Sequence, residues 1–326
     1  MNQKLLIIFS LIIVLGVNSN GQEKDYQFIY SEQNVLDFYK YDKNLPLNAR
    51  IDTMGTIDVY DSTLTFLFKY LKLNVQYESV HGERVKAKFW LPQKDSASSC
   101  ILWLHGYGAN KNIDDMVFGY IVGPSLGCAI LALDAQYQGE RKDPTRELNS
   151  LDLLQNRHAI AQTILDYRRG MDFLETVPAI DTSRIGLLGV SMGGIVGALL
   201  AGIDPRIKAT VIFAGGGDWQ EIFRLSDHET MTPVRTYLKG NYSALSRLLE
   251  PVDPIRLIHR VKNLQMHHGT ADMTVPFSTG LALFQQATDT SNVFYQYEGV
   301  GHGTNLEQLP VLDVLFHLIE WFQKHL

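Results

Sequence analysis

Between Arg184 and Gly202 the chain reads RIGLLGVSMGGIVGALLAG, a short apolar run that passes without a linker into a longer apolar run of helix-compatible residues. The join is Gly189-Val190-Ser191-Met192-Gly193. A strand that turns into a helix over so few residues leaves no room for a hairpin. The helix must carry the chain back across the sheet, so the next strand lies parallel to the first. The same alternation runs from about Lys72 onward. LKLNVQYESV and RVKAKFWLP read as a hairpin around His81-Gly82-Glu83, and CILWLHG follows as a strand. A helix is expected from Asn112, whose side chain can cap the amide of Asp115. CAILALD is the next strand, Leu154 to Glu175 a long helix ending before Pro178, and RIGLLGV, IKATVIFAG, VKNLQMHHG and NVFYQYEG the remaining strands. FSTGLALFQQAT and LEQLPVLDVLFHLIEWFQKHL read as helices. This order predicts an α/β chain with a mostly parallel, twisted sheet flanked by helices.

Two stretches depart from the rhythm. Gly215 to about Arg260, after the sixth strand, is longer than an ordinary connection and carries helix-forming pieces such as PVRTYLKG and YSALSRLLE, as a small helical lid would. At the start, Lys4 precedes an apolar run from Leu5 to Val17 that ends in Asn18-Ser19-Asn20-Gly21, the pattern of a secretory signal. The run falls short of the roughly 20 residues that span a bilayer. Residues 1–21 are therefore expected to direct export, giving a periplasmic or secreted protein. Residues 22–71 are expected to pack as an N-terminal extension on a domain covering 72–326.

At 326 residues and 45% hydrophobic content the chain can bury one large core, and a formal charge of −6 offers neither nucleic acid nor an anionic membrane a basic surface. Cys100 and Cys128 each precede a strand, so they are either two buried small side chains or a disulfide between neighbouring strands.

A serine hydroxyl becomes a nucleophile only beside a base that a third group holds in the right tautomer. Ser191 sits at the strand-to-helix turn, where glycines two residues to either side relieve crowding; the competing reading is an ordinary capping serine. Asp272 follows in HHGTADMTVP just past a strand, and His302 follows in GVGHG between the last strand and the last helix. Serine, acid and histidine in that chain order form a catalytic set. His268 is expected to order the Asp272 loop or to pack. After His105-Gly106, the backbone amide of Tyr107 is the expected oxyanion donor, with Gly106 or Gly108 as alternatives, and the amide of Met192 is the second donor. Tyr107, Gln136, Arg141 and Trp219 follow strand ends and are expected to wall a substrate pocket. The set calls for no metal and no organic cofactor.

The chain from about Lys72 resembles the α/β-hydrolase superfamily, and within it the dienelactone hydrolase and acetyl xylan esterase branch. YESVHGERVKAKFWLP, LHGYGANK, LDYRRGMDFLETVPAIDTSRIGLLGVSMGG, HHGTADMTVP and EGVGHG carry the likeness. It implies the α/β-hydrolase fold and, with serine rather than cysteine at the turn, an esterase or deacetylase acting on a small-molecule or carbohydrate ester. DAQYQGERK departs from the DxRGxG run common in acetyl xylan esterases. A peptidase or thioesterase of the same superfamily is the alternative enzyme, and a binding protein on a hydrolase scaffold is the alternative of another class.

Overall fold

A computed structural model of the chain describes residues 26–60, 65–112, 122–302 and 311–326. The expected export segment and the body of the helix expected after Asn112 lie outside those residues.

The described chain opens with α1 (Glu32–Phe38), capped by the Ser31 hydroxyl. β1 (Arg50–Tyr60), β2 (Phe66–Glu78) and β3 (Arg84–Gln93) follow, then β4 (Ser98–Leu104), α2 (Gly123–Leu126), β5 (Ala129–Leu133) and α3 (Leu153–Leu174). Next come β6 (Ile180–Val190), α4 (Met192–Ile203) and β7 (Ile207–Phe213), then α5 (Trp219–Leu225), α6 (Met231–Leu238) and α7 (Ser243–Leu249). The chain closes with β8 (Leu264–Gly269), α8 (Phe277–Gln285), β9 (Val293–Tyr297) and α9 (Val311–His325).

The described strands form one sheet in the order β1-β2-β3-β5-β4-β6-β7-β8-β9. Pairing is antiparallel from β1 to β5 and parallel from β5 to β9. The connection leaving β4 runs to one side, to β5, while β6 lies on the other side. The carboxyl ends of β4 and β6 therefore flank a topological switch point, where open α/β sheets bind ligands. Ser191 follows one of those ends and Gly106-Tyr107 the other.

β1 changes the expected picture of residues 22–71, since it adds an edge strand paired with β2 from Arg50–Gln76 to Tyr60–Phe66. Its sequence, RIDTMGTIDVY, shows little apolar alternation because most of it is exposed on both faces. Counting it, the helical insertion follows the seventh strand rather than the sixth.

Alternation along the central strands sorts side chains into two cores. Cys100, Leu102 and Leu104 of β4 pack with α3, α4 and the insertion; Ile101 and Trp103 pack on the opposite face with α9. The same parity separates the cysteines. Cys100 pairs in register with Ala129, so Cys128, one residue earlier, points to the other face. Both thiols are buried and free, and the disulfide reading gives way to two packed side chains.

Candidate active site

Ser191 stands between β6 and α4 with φ 56° and ψ −120°, a backbone conformation that is strained for a residue with a side chain. Both ends of the turn are pinned. The Ser191 amide donates to the Phe213 carbonyl at 2.8 Å, and its carbonyl accepts from the Ile195 amide at 3.0 Å. The flanking glycines are obligatory on space alone. A Cβ at Gly189 would lie 2.3 Å from the Gly193 carbonyl oxygen, and one at Gly193 would lie 2.2 Å from that of Leu104. The twelve residues of α4 direct their N-terminal amides and positive dipole end at the serine.

The Ser191 Oγ is 2.8 Å from Nε2 of His302, and Nδ1 of that ring is 2.7 Å from Oδ2 of Asp272. Asp272 is 1% exposed. Its Oδ1 accepts the amides of Thr274 at 2.9 Å and Val275 at 3.0 Å, so the turn after β8 fixes the carboxylate plane. Burial works against its ionisation, but hydrogen bonds from His268 and His302 prevail and hold its pKa below the usual aspartate value.

His268 approaches the same Oδ2 with Nε2 at 3.2 Å, and that nitrogen also lies 2.9 Å from the Val275 carbonyl. Two acceptors at Nε2 place the proton there. Its Nδ1 is buried without a partner among the described residues, and a Cβ on Gly280 would come within 2.3 Å of it. His268 thus sits beside the acid as an ordering group. His302 occupies the position facing the serine.

The loop after β4 lies against the nucleophile: a Cβ on Gly106 would be 3.4 Å from that of Ser191. His105 holds this loop. Its Nε2 accepts the Ala135 amide at 3.0 Å, so Nδ1 carries the proton and donates to the Gly106 carbonyl at 2.8 Å. Burial pushes the His105 pKa down, which preserves this neutral tautomer. The Gly108 amide donates to Oε1 of Gln138 at 3.0 Å and is therefore committed elsewhere. The amides of Tyr107 and Met192 meet no acceptor among the described residues, as a pair of oxyanion donors requires.

The family model described as acetyl xylan esterase (AXE1) matches residues 24–308. The chain belongs to the acetyl xylan esterase family. Solved structures that share its fold include two acetyl xylan esterases. The acetyl xylan esterase from Paenibacillus sp. R4 has a TM-score of 0.71 at 18% identity, covering 92% of this chain and 97% of that one. Acetyl xylan esterase 1 from Thermoanaerobacterium sp. JW/SL YS485 also has a TM-score of 0.71 at 18% identity, with 89% and 92% covered. A putative hydrolase of Bacillus subtilis (strain 168), YtaP, is 28% identical over 142 residues, or 40% of this chain. The chain spans 48% of that relative's length. The fold is the α/β-hydrolase fold.

In this member of the acetyl xylan esterase family a cleft of about 280 Å³ opens beside the loop after β4, lined by Tyr107 and Gly108 on one side and by residues of the 137–148 loop on the other. Tyr107 lines this cleft, its ring edge-on to His228 of the insertion at 5.3 Å. The other three expected walls do not line the cleft. Trp219 is 2% exposed, packs on Phe223 and donates its indole N–H to the Val252 carbonyl. Arg141 pairs with Asp166 at 2.5 Å and with Glu83 at 3.1 Å, and Gln136 donates to Glu83 at 3.2 Å. These three are tied elsewhere, Arg141 and Gln136 to Glu83 and Trp219 within the insertion. Gln138, Lys142 and Arg146 line the cleft in their stead, none of them singled out from the sequence. Lys111 and Asp134, a buried pair at 2.7 Å, anchor the same loop, since Asp134 also accepts the Glu140 amide.

Proposed function

We propose that this chain is a serine esterase that removes short acyl groups, acetyl above all, from carbohydrate or other small polar alcohols. The observation that carries the reading is the unbroken line of hydrogen bonds from Ser191 through His302 to Asp272. In the first half of the reaction His302 Nε2 takes the Ser191 proton as Oγ attacks the ester carbonyl. The oxyanion that forms is met by the amides of Tyr107 and Met192, and Asp272 offsets the charge on the imidazolium. Collapse breaks the bond to the alcohol, which leaves with the proton from His302. Water then attacks the acyl-serine with His302 again as base, releasing the acid and restoring the hydroxyl.

Family membership supports the ester class and the acetyl preference. The test is acetate release from acetylated xylan and from p-nitrophenyl acetate. The wild type should act on both, and Ser191→Ala should lose at least about ten-thousandfold in kcat. Turnover of aminoacyl amides or acyl thioesters in preference to acetate esters would favour the alternative enzymes.

The basic start, apolar run and polar exit of residues 1–21 support export as part of the same proposal. N-terminal sequencing of protein recovered outside the producing cell's cytoplasm should begin near Gln22; a chain that keeps Met1 there contradicts a cleaved signal.

A further inference from the structure

Gln138 lies in the 137–148 loop, lines the cleft beside Tyr107, and is 5% exposed. Its Oε1 accepts the Gly108 amide at 3.0 Å. That bond orients the side-chain amide, because only the oxygen can accept. The other end, Nε2, is buried and meets no acceptor among the described residues. An unsatisfied buried amide is destabilising. The Gly108 bond does not account for it, since that bond uses only an oxygen, which a glutamate would also supply.

The loop that presents Gln138 is held in an unusual shape. Tyr137 has φ 65° and Gly139 has φ 56°, both left-handed, and a Cβ at Gly139 would come within 2.3 Å of the Asp134 carboxylate. Lys111 and Arg141 lock the flanks, Lys111 through Asp134 and Glu140, Arg141 through Asp166 and Glu83. The backbone is thus arched around one glutamine whose Oε1 is bonded and whose Nε2 has no partner among the described residues.

We propose that Gln138 is a specificity-determining residue: its Nε2 donates to an acceptor oxygen on the alcohol part of the ester while its Oε1 steadies the oxyanion loop. This rests on the esterase reading of Ser191. The alcohol side follows from the character of the cleft. Lys142 and Arg146 line it together with Asp143 and Glu147, a surface ill-matched to an apolar acyl chain and balanced in charge, which suits a neutral oxygenated group. An amide N–H₂ can only donate, so its partner on the substrate is a hydroxyl, ether or carbonyl oxygen.

The experiment compares two acetate esters, phenyl acetate, whose leaving group carries no acceptor oxygen beyond the ester, and a fully acetylated methyl xyloside. Two variants are measured, Gln138→Glu, which keeps an oxygen for the Gly108 amide, and Gln138→Met, which keeps neither end. In both, the ratio of kcat/KM for the xyloside to that for phenyl acetate should fall about tenfold, one good hydrogen bond's worth. Gln138→Glu should show it as a raised KM for the xyloside. Gln138→Met should in addition lower kcat on both esters, because the oxyanion loop loses its tether. A ratio unchanged in either variant overturns the proposal whatever happens to stability, since the ratio is internal to each protein. A wild type inactive on both esters overturns the esterase reading and this assignment with it, and that outcome is told apart by needing no variant at all.

Discussion

At Asp272 the two carboxylate oxygens face different partners. Oδ1 is held by two backbone amides, and Oδ2 is shared by His302 at 2.7 Å and His268 at 3.2 Å. Only the first histidine reaches the serine; the second acts through the acid. A donor to the ionised carboxylate stabilises that form, so removing it raises the acid's pKa. His268→Met should therefore move the acid limb of the pH–activity profile to higher pH and lower kcat about tenfold, the value of a hydrogen bond to a charged group. His268→Gln, which can return an N–H to nearly the same place, should recover part of both. A kcat that falls with no movement of the acid limb, or no rescue by glutamine, would reduce His268 to a packing residue. Residue-scale geometry was legible in the sequence where it depends on local backbone. Ser191, Asp272 and His302 each sit on a turn that announces itself by glycine and by position after a strand. Gln138 was not legible, because its role depends on Gly108, thirty residues away on another strand's loop.

Among the elements, α3 and α4 show how the scaffold under the site is tied. Asp204 ends α4, is 2% exposed, and accepts from Arg168 of α3 at 2.9 Å and from Arg206 at 2.8 Å. Burial disfavours its charge, yet the two guanidinium groups pull its pKa down to about 2 from an ordinary 3.8. Because the folded value is the lower one, the stabilisation is fully present above pH 3.8 and is lost as pH falls from there through about 2. The size is about 2 kcal/mol. Urea unfolding of Asp204→Asn should show that deficit at pH 7 and a gap that closes as the pH approaches 2; a deficit of equal size at both ends would mean that packing, not charge, is responsible. Helices and buried strands of this kind were legible, since α3 falls within a residue of its expected bounds and ends before Pro178. β1 was not, because an edge strand exposed on both faces needs no apolar alternation. Periodicity records burial, and β1 has little of it.

For the whole molecule, the sheet order does what no single motif can. It sets the end of β4 beside the end of β6, so that the Gly106-Tyr107 backbone meets Ser191 at the switch point, and it brings the loops after β8 and β9 to the same edge with Asp272 and His302. The sequence order of serine, acid and histidine was readable in advance, and so was their common position after strands. The lining of the cleft was mostly not. Gln136, Arg141 and Trp219 also follow strand ends, but the partners that claim them, Glu83, Asp166 and Val252, are distant in sequence. Position after a strand selects an edge of the sheet; it does not decide which side chains of a loop line the cleft and which are tied elsewhere. The central claim is that Ser191 is the nucleophile that carries the acyl group. Mass spectrometry of the protein after treatment with a fluorophosphonate tests it most directly: a single phosphonyl adduct on the peptide containing Ser191, with acetate release abolished in step, is the result predicted, whereas an unlabelled Ser191, or acetate release that survives Ser191→Ala, would contradict it.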